Sequence, residues 1–506
     1  MRYFFIVFLF VSCQTETKKK STREAYSGKH RPQIHFTPKA NWMNDPNGML
    51  YYNNTYHLFF QYYPDSTVWG PMHWGHATSK DLIYWKEEEI ALYPDSLGYI
   101  FSGSAVADVQ NTSGFGKDGV VPLVAIFTHH DPKGEKTGTT TYQNQSIAYS
   151  LDEGKTWTKY KGNPVLKNPG IKDFRDPKVM WHEESKKWIM TLATLDRISF
   201  YSSLNLKDWK KESEFGKEIG AHGGVWECPD LFHLNHHGKQ VWVLIVNINP
   251  GGPNGGSATQ YFTGDFDGTT FKPYQTDTRW LDYGPDEYAG VTWSNTGKRK
   301  IFLGWMSNWQ YASLVPTHPW RSAMTIPRDI AIEKIEDRYM LTSRPSIELN
   351  VLNEKEMMYN DIDATDFDLT TKIGALNGPA RIKFLSDSLK NFMLTLSNDA
   401  GEKLVVGYDK TGNNYFIDRS QSGKIDFEKG FGQKHTAPRI ATSDSMDMEL
   451  IIDNASIEIF ADGGLSAMTS IFFPNKLYSD IKISSTGGFK INALQFFKMK
   501  KAVNIQ

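Results

Sequence analysis

Between about residues 35 and 340 the chain consists of short apolar runs separated by turn-forming residues, without a long amphipathic helix. Runs of about 4–8 residues that are rich in β-branched and aromatic side chains are typical of strands. The clearest runs lie at residues 56–62 (YHLFFQY), 121–127 (VPLVAIF), 188–193 (WIMTLA), 241–246 (VWVLIV) and 300–305 (KIFLGW). This pattern predicts an all-β fold, arranged as a sandwich, a barrel or a propeller.

A loosely repeated turn favours the propeller among these architectures. Residues 79–85 (SKDLIYW), 150–157 (SLDEGKTW) and 202–209 (SSLNLKDW) each follow a predicted strand and end in Trp, and residues 263–271 (TGDFDGTTF) form a weaker copy. Repeats of roughly 40 to 70 residues that each contain several strands are typical of propellers, and about 300 residues at that period would form four to six blades. Coincidental Ser and Asp turns in an aromatic-rich chain are the alternative.

From about residue 350 the pattern changes to alternating apolar and polar positions, which is typical of antiparallel sheets with one face in water. The alternation is clear in ARIKFL, NFMLTLS, KLVVGY and MELIIDNASIEIFADGG, and the last of these has hairpin-type turns at Asn454 and at Asp462-Gly463. We therefore expect a propeller at residues 31–340, a connector at 341–360 and a β-sandwich at 361–506.

The first residues resemble a targeting segment. Arg2 precedes an apolar run at residues 3–11, which is too short to span a bilayer and fits a signal sequence at residues 1–13. The run ends in a Ser and then Cys13, a pair similar to the cleavage site of bacterial lipoproteins, with an ordinary secretion signal as the alternative. Residues 14–30 are polar and predict a flexible tether. We expect an exported protein, lipid-anchored through Cys13 if the signal is of the lipoprotein type, and otherwise periplasmic or secreted.

Composition argues against several classes of partner. The 506 residues carry 56 Lys and Arg against 57 Asp and Glu, so no overall positive charge attracts nucleic acid or an anionic membrane.

Besides Cys13 the chain has only Cys228, and a disulfide between them is not expected because Cys13 belongs to the targeting segment. The His residues lack the spacing of metal ligands, and GFGKDG at residues 114–119 lacks the flanking strand and helix of a dinucleotide site. No metal or cofactor is predicted, and no oligomeric state follows from the sequence.

Three acidic residues are candidates for chemistry, and the first is Asp45 in NWMNDPNG (residues 41–48). Pro46 restricts the preceding residue to extended geometry, while Asn44 and Asn47 offer amide donors. A carboxylate that accepts several hydrogen bonds stays ionised. The alternative is a turn aspartate that caps its own backbone, although a plain surface turn needs neither the indole nor the thioether that precede it.

The second candidate is Asp176 in KDFRDPK, where a proline again closes the local backbone. Adjacent residues of a strand point to opposite faces, so Arg175 and Asp176 are expected to serve different partners. A structural salt bridge elsewhere in the fold is the alternative.

The third candidate is Glu227, whose neighbours in sequence, Val225, Trp226, Cys228 and Pro229, form an apolar collar. Desolvation by such a collar favours the protonated form that a general acid needs. A buried structural glutamate with a hydrogen-bond partner is the alternative. One ionised and one protonated carboxyl form the pair that glycoside hydrolysis requires, and their joint occurrence in an exported, aromatic-rich β protein favours that chemistry.

A set of six motifs resembles the signature of glycoside hydrolase family 32, which holds invertases, inulinases and levanases. The motifs are NWMNDPNG (41–48), QYYP (61–64), FSGS (101–104), FRDP (174–177), WECPD (226–230) and GWM (304–306). They follow the family's order, and the resemblance covers about residues 33–500. It implies a five-bladed β-propeller followed by a β-sandwich. It also implies that Asp45 is the nucleophile, Glu227 the general acid/base and Asp176 a stabiliser of the transition state.

The resemblance further implies a fructose pocket. Its residues would be Asn44, Gln61, Trp69, Phe101, Ser102, Arg175, Asp282 and Trp305, with Asp286 as the alternative to Asp282.

The implied activity is that of a retaining β-fructofuranosidase that acts on levan, inulin or sucrose, is exo-acting and releases fructose. In that case the carboxyls of Asp45 and Glu227 should lie about 5–5.5 Å apart. The alternatives are a fructosyltransferase of the same fold, a non-catalytic glycan-binding propeller, or an inverting five-bladed glycosidase that acts on arabinan. The motifs do not specify a linkage, and we expect linkage preference to depend on rim loops such as residues 129–145 and 249–260.

Overall fold

The computed structural model describes residues 26–502, so the expected signal at 1–13 and most of the expected tether, residues 14–25, lie outside the described part. Strands dominate within it, and its helices are α1 (Pro132–Lys136), α2 (Thr370–Ile373) and two 3₁₀ turns, Ile347–Leu352 and Asp462–Gly464. The predicted all-β fold is thus confirmed. No helix between residues 26 and 502 is long and apolar enough to cross a membrane.

Residues 41–345 form five sheets that follow one another along the chain. The strands of the first three sheets are β1 (Asn41–Tyr52), β2 (Thr55–Tyr63), β3 (His73–Ser79) and β4 (Trp85–Glu87); β5 (Tyr99–Ala107), β6 (Leu123–His130), β7 (Gln143–Ser150) and β8 (Thr158–Lys159); and β9 (Phe174–His182), β10 (Lys187–Thr194), β11 (Arg197–Ser203) and β12 (Lys210–Phe215). The fourth sheet contains β13 (Val225–His236), β14 (Lys239–Asn249), β15 (Ala258–Phe266), β16 (Phe271–Pro273) and β17 (Arg279–Trp280).

The fifth sheet contains β18 (Tyr288–Thr292), β19 (Lys300–Met306), β21 (Ala323–Met324), β22 (Arg328–Ile335) and β23 (Arg338–Pro345), whereas β20 (Trp320–Arg321) runs parallel to β1 in the first sheet. The predicted apolar runs lie largely in β2, β6, β10, β14 and β19. Strand β6 is buried along its whole length, which explains its continuous apolar run.

The first strands of the five sheets contact one another in a closed ring. The contacts run from β1 to β5, β9, β13 and β18, and from β18 back to β1. The pairing of β20 with β1 joins the end of this region to its beginning. The ring therefore brings residues from distant parts of the sequence to one common centre.

The repeated Trp turn is a structural unit that recurs in successive sheets. In each strong copy the indole Nε1 donates a hydrogen bond to the carbonyl oxygen three residues earlier. The pairs are Trp85 with Leu82 (2.9 Å), Trp157 with Gly154 (3.1 Å) and Trp209 with Leu206 (3.1 Å). The copies connect the third and fourth strands of the first, second and third sheets. The sequence repeat therefore marks the same turn in each of these sheets.

Residues 353–499 form two further sheets of six strands each. In chain order their strands are β24 (Asn353–Asp363), β25 (Asp366–Asp368), β26 (Ala380–Ser386), β27 (Phe392–Ser397), β28 (Lys403–Asp409), β29 (Asn414–Gln421), β30 (Lys434–Pro438), β31 (Met446–Ile452), β32 (Ser456–Ala461), β33 (Ser466–Ile471), β34 (Asp480–Ser484) and β35 (Lys490–Met499). One sheet has the order β24-β35-β26-β31-β32-β33 and the other β25-β34-β27-β28-β29-β30. Both contribute to a single buried apolar cluster, for example through Ile382 and Leu450 from one and Leu394 and Val406 from the other.

Two boundaries differ from the prediction. Strand β23 continues to Pro345 and β24 begins at Asn353, so residues 346–352 connect the two parts instead of residues 341–360. The expected tether also ends earlier: the Tyr26 hydroxyl donates to Glu87 (3.1 Å), and His30 Nε2 lies 2.9 Å from the carbonyl oxygen of Pro474. Both side chains bind residues that are distant in sequence. The polarity of the segment alone does not indicate such contacts.

A buried ionic network joins the two parts. His35 lies between Asp453 and Glu458, at 2.8 Å from each, while Arg328 pairs with Glu458 and, at 2.8 Å, with Asp282. Each buried charge in this network has an opposite partner, which offsets its loss of hydration. Burial alone would lower the pKa of His35, but the hydrogen bonds and negative charges of Asp453 and Glu458 outweigh it and raise the pKa to about 9.

We predict that stability depends on His35 at alkaline pH. Because the folded-state pKa of His35 lies above the ordinary value of 6.5, its contribution is complete below about pH 6.5 and is lost as pH rises to about 9. The loss should be on the order of 3 kcal/mol and should lower the urea midpoint over this range. His35→Gln should remove this pH dependence, whereas His237→Gln, at an exposed position, should retain it. An unchanged pH dependence in His35→Gln would contradict the assignment.

Candidate active site

The first strand of every one of the five sheets is irregular at the same end of the ring. Register shifts lie at residues 43–46 in β1, 100–103 in β5, 175–178 in β9, 227–230 in β13 and 288–291 in β18. A β-bulge changes the direction of side chains relative to the regular ladder. The turn-forming residues of NWMNDPNG therefore form a bulge inside a strand and not a separate surface turn, because β1 continues through them.

Three residues in these irregular segments have a positive φ although they are not glycine. The values are 62° for Asp176, 42° for Cys228 and 54° for Ala289. Such backbone conformations are strained and cluster at functional sites.

Four of the five bulged ends, those of β1, β5, β9 and β13, line a cavity of about 250 Å³. Its lining residues are Asn44, Asp45, Gln61, Trp69, Phe101, Ser102, His130, Glu135, Gln143, Asp173, Arg175, Asp176, Glu227 and Trp309. All three acidic candidates thus open into one space, although they are distant in sequence.

Asp45 is held mainly by neutral donors. Ser102 Oγ donates to its Oδ2 at 2.7 Å and Asn44 Nδ2 donates to its Oδ1 at 2.9 Å. The fully buried Trp42 donates from Nε1 to Asn44 Oδ1 at 2.7 Å, so the indole fixes the orientation of that amide. The Cys228 thiol lies 3.6 Å from Asp45 Oδ2. Among residues 26–502 no cation pairs directly with this carboxylate, which is positioned by a hydroxyl and an amide.

Glu227 has a different environment. Arg175 donates to its Oε1 from Nη2 at 2.8 Å and from Nε at 3.2 Å, and the Tyr288 hydroxyl donates to its Oε2. The expectation that Trp226 shields the Glu227 carboxyl is wrong. Trp226 is fully buried in an apolar cluster, with its ring 6.1 Å from that of Phe262. Adjacent residues of β13 point in opposite directions, so sequence neighbours do not surround the Glu227 carboxyl.

Asp176 is held through the backbone of β13. The Cys228 N–H donates to Asp176 Oδ2 at 3.1 Å, and the Cys228 thiol lies 3.6 Å from the same oxygen. Arg175 Nε is 3.9 Å from Asp176 Oδ2, farther than Arg175 is from Asp173 (2.6 Å) or Glu227 (2.8 Å).

These environments change the proton affinities of Asp45 and Asp176. Burial and the negative charge of Glu227 raise the pKa of Asp45, against the lowering effect of the hydrogen bonds from Ser102 and Asn44. Burial raises the pKa of Asp176 to about 7, although the Arg175 guanidinium acts in the opposite direction. The cavity therefore retains a proton near neutral pH more readily than separate, solvated carboxylates would. The hydrogen bonds that were expected to favour the ionised form of Asp45 do not lower its pKa overall, because burial and the charge of Glu227 outweigh them.

Most of the residues predicted for the sugar pocket meet in this cavity. Those that line it are Asn44, Gln61, Trp69, Phe101, Ser102 and Arg175. Trp69 is 40% exposed and its ring lies 6.1 Å from that of Phe101, so it lies at the mouth.

The prediction of Asp282 as a pocket residue is wrong. Its carboxylate is buried between the two parts of the chain, where Arg328 Nη1 donates to Oδ2 at 2.8 Å and the Thr469 N–H donates to Oδ1 at 2.9 Å. The alternative, Asp286, is also buried there and pairs with Arg419 at 2.6 Å. Both acids bind donors of the second part instead of facing the cavity.

The prediction of Trp305 as a lining residue is also wrong. Its indole is fully buried, donates from Nε1 to the Met43 carbonyl oxygen at 3.1 Å, and packs 5.0 Å from the ring of Trp309. Trp309 lines the cavity in its place. Trp305 supports this wall from behind.

Five lining residues were not predicted. They are His130, Glu135, Gln143, Asp173 and Trp309. Three of them fall within the rim segment 129–145 that the sequence analysis singled out, whereas the segment 249–260 contributes none of the cavity's described lining. In that segment Asn254 Nδ2 donates to the carbonyl oxygens of Tyr283 (2.6 Å) and Thr436 (2.9 Å), which fixes the loop against the second part.

Comparison with known proteins agrees with this geometry. The model of the glycosyl hydrolases family 32 N-terminal domain matches residues 35–345, and that of the family 32 C terminal matches residues 343–500. A levanase from Bacillus subtilis is 45% identical over 490 residues, which cover 94% of this chain and 71% of the relative. An extracellular exo-inulinase from Aspergillus niger is 42% identical over 501 residues, which cover 92% of this chain and 93% of the relative. The crystal structure of exo-inulinase from Aspergillus awamori superposes with a TM-score of 0.87 at 38% identity and covers 94% of this chain and 99% of that one.

We predict that Ser102 controls the proton affinity of Asp45. Ser102→Ala removes a donor that favours the ionised carboxylate, so the pKa of Asp45 should rise further. The titration can be followed by ¹³C NMR of protein labelled at the aspartate carboxyls, with the Asp45 signal assigned from Asp45→Asn. Ser104→Ala is the matched control, since this buried serine of the same strand donates to the Pro177 carbonyl oxygen at 2.9 Å instead. Equal titration in both variants would contradict the prediction.

Proposed function

The chain belongs to glycosyl hydrolase family 32, and we propose that it is a retaining β-fructofuranosidase that removes terminal fructosyl units from levan, inulin or sucrose. The observation that carries the proposal is the meeting of Asp45 and Glu227 in one cavity with different partners. The names of the relatives, levanase and exo-inulinase, support fructans as the substrate class.

In the proposed first step, Asp45 attacks C2 of the fructosyl unit as the C2–O glycosidic bond breaks, while Glu227 gives its proton to the leaving oxygen. In the second step, water attacks C2, Glu227 accepts the proton, and the bond between C2 and Asp45 breaks to release fructose. Arg175 and Tyr288 orient the Glu227 carboxyl through hydrogen bonds to its two oxygens. Asp176 is assigned to stabilise the transition state.

Exo action is supported by the size and shape of the cavity. A volume of about 250 Å³ is smaller than the range of about 300–1,000 Å³ that is common for drug-sized ligands. Its inner residues Asn44, Gln61 and Ser102 are almost completely buried, whereas Trp69 is partly exposed. Such a cavity suits one terminal sugar ring at its inner end, with the remaining substrate leaving through the mouth.

We also propose that the five sheets are the blades of a five-bladed β-propeller and that the two six-stranded sheets form a β-sandwich. The closed ring of first strands and the sequential order of the sheets support the propeller. The apolar cluster to which both six-stranded sheets contribute supports the sandwich. An experimental structure with a different number of blades would contradict this architecture.

We propose that the protein is exported and lipid-anchored at Cys13. The short apolar run before Cys13 supports an export signal, and the name of the extracellular exo-inulinase is consistent with export. Cys13→Ser should move the protein from the membrane pellet to the soluble fraction, as measured by immunoblotting of fractionated cells. Wild-type protein that is already soluble would exclude the anchor and favour an ordinary secretion signal.

The product pattern tests the proposed activity. A time course on levan, inulin and sucrose should yield fructose from the start, because each cleavage removes a terminal unit. An early ladder of oligomers would contradict exo action, and net oligosaccharide growth at high sucrose would identify a transferase. Asp45→Asn should lower turnover by about 10³-fold or more while the protein remains folded. Asp65→Asn, at an exposed position, is the matched control and should retain activity.

A further inference from the structure

The structure points to a contact with the leaving sugar that none of the six motifs contains. We propose that Glu135 binds hydroxyl groups of the sugar unit on the leaving-group side of the scissile bond and thereby selects substrates whose leaving group is a sugar. The inference rests on the proposed fructosidase activity. It adds which residue of the same cavity contacts the leaving sugar. Glu135 lines that cavity, and its side chain is 54% exposed, so it lies at the mouth.

The loop that carries Glu135 has an ordered backbone. It connects β6 to β7 and contains α1, whose first turn is capped by Asp131: its Oδ1 accepts from the Lys133 N–H at 3.0 Å. The Glu135 N–H donates to the Asp131 carbonyl oxygen at 3.1 Å, and the Glu135 carbonyl oxygen accepts from Gly138 N–H at 2.9 Å. The Thr139 N–H and hydroxyl both donate to the carbonyl oxygen of Gly134 at 3.1 Å. A side chain on such a loop can bind a ligand without the entropic cost of ordering the backbone.

The Glu135 carboxylate lies beside the buried ring of His130. Glu135 Oε2 lies 3.2 Å from His130 Nε2, while the imidazole stacks on the ring of Phe101 at 4.2 Å between centroids and an angle of 5°. Within residues 26–502, the Glu135 side chain makes no hydrogen bond, because His130 Nε2 has no hydrogen-bond partner, and His130 is its one neighbour at ion-pair distance. Both carboxylate oxygens are therefore available to a ligand at the mouth.

A chain of contacts connects Glu135 to the proposed acid. His130 Nδ1 lies 3.3 Å from Gln143 Nε2, and Gln143 Oε1 accepts from Arg175 Nη1 at 3.5 Å. Arg175 in turn donates to Glu227 at 2.8 Å. The leaving oxygen must come within hydrogen-bond distance of Glu227, because that carboxyl supplies its proton. The unit attached to this oxygen has to leave the buried inner end through the mouth, which Glu135 lines.

The chemistry of Glu135 suits neighbouring hydroxyl groups. A carboxylate accepts hydrogen bonds at both oxygens, and hydrogen bonds to a charged acceptor are stronger than those between neutral groups. A leaving group without hydroxyls, such as methanol, offers nothing for Glu135 to bind. Loss of the carboxylate should therefore affect substrates with a leaving sugar and spare those without one.

The experiment compares two leaving groups on the same fructosyl unit. Glu135→Ala should lower kcat/KM for sucrose and for a short fructan by about 10-fold or more, because about 1.4 kcal/mol or more of transition-state binding is lost. The value for methyl β-D-fructofuranoside should change by less than about 2-fold, since this substrate occupies only the fructosyl part of the cavity. Glu135→Gln should recover part of the loss, because its amide oxygen still accepts one hydrogen bond.

The chain contains a closely matched control. His182 and Glu184 form the same kind of pair, with Nε2 and Oε2 3.2 Å apart, a buried ring and an exposed carboxylate, but outside the cavity lining. Glu184→Ala should leave both substrates unaffected.

Three results would overturn the inference, and they differ from failure of the proposed function. Equal losses on sucrose and the methyl fructoside would mean that Glu135 only supports His130 and the fructosyl pocket. No loss on either substrate would mean that Glu135 does not contact the leaving sugar. A similar loss in Glu184→Ala would indicate a general effect of removing a carboxylate from a buried histidine. Wild-type protein that hydrolyses neither substrate would instead contradict the proposed function itself.

Discussion

Negative charge crowded into a small cavity is the constraint on which the arrangement of the site depends. Five of the described lining residues are acids, namely Asp45, Glu135, Asp173, Asp176 and Glu227, whereas Arg175 is the permanent cation among them. One guanidinium cannot pair closely with all of them, and it contacts Asp173 and Glu227 most closely. Asp45 is left with a hydroxyl and an amide, and Asp176 with a backbone N–H. This unequal division of partners gives the carboxyls different electrostatic surroundings, and burial raises the pKa of Asp45 and of Asp176 against the lowering effect of their hydrogen bonds.

The backbone maintains this division because the five first strands meet in a ring and each leaves its regular ladder at the same end. A regular strand would aim alternate side chains at opposite faces and would separate neighbouring functional groups. The bulges let Asn44 and Asp45 act together, and let the Cys228 N–H reach Asp176. The positive φ values of Asp176 and Cys228 indicate the local strain that accompanies this geometry.

The sequence pattern predicted the strands well, because a continuous apolar run such as residues 241–246 indicates a strand that is buried on both faces. Asp45 and Asp176 were found because proline and asparagine beside them mark unusual backbone, whereas Glu227 was found through its apolar neighbours in sequence. Asp282 was misjudged because its partners, Arg328 and Thr469, lie far away in sequence. The predicted apolar collar around Glu227 was wrong at Trp226 for a different reason, because adjacent residues of a strand point to opposite faces. Glu135 lies in no motif, and only the folded hairpin brings it to the cavity.

The second part of the chain supports the site through a short segment, residues 282–288. Asp282 and Asp286 accept hydrogen bonds from the N–H groups of Thr469 and Ile471 on β33, each at 2.9 Å, so this segment is fixed alongside that strand. Two residues after Asp286, Tyr288 donates its hydroxyl to Glu227. The acids that seemed by position to belong to the sugar pocket thus hold the segment that delivers a donor to the proposed acid/base. The two six-stranded sheets are therefore part of the framework that positions the chemistry, although their residues do not line the described cavity.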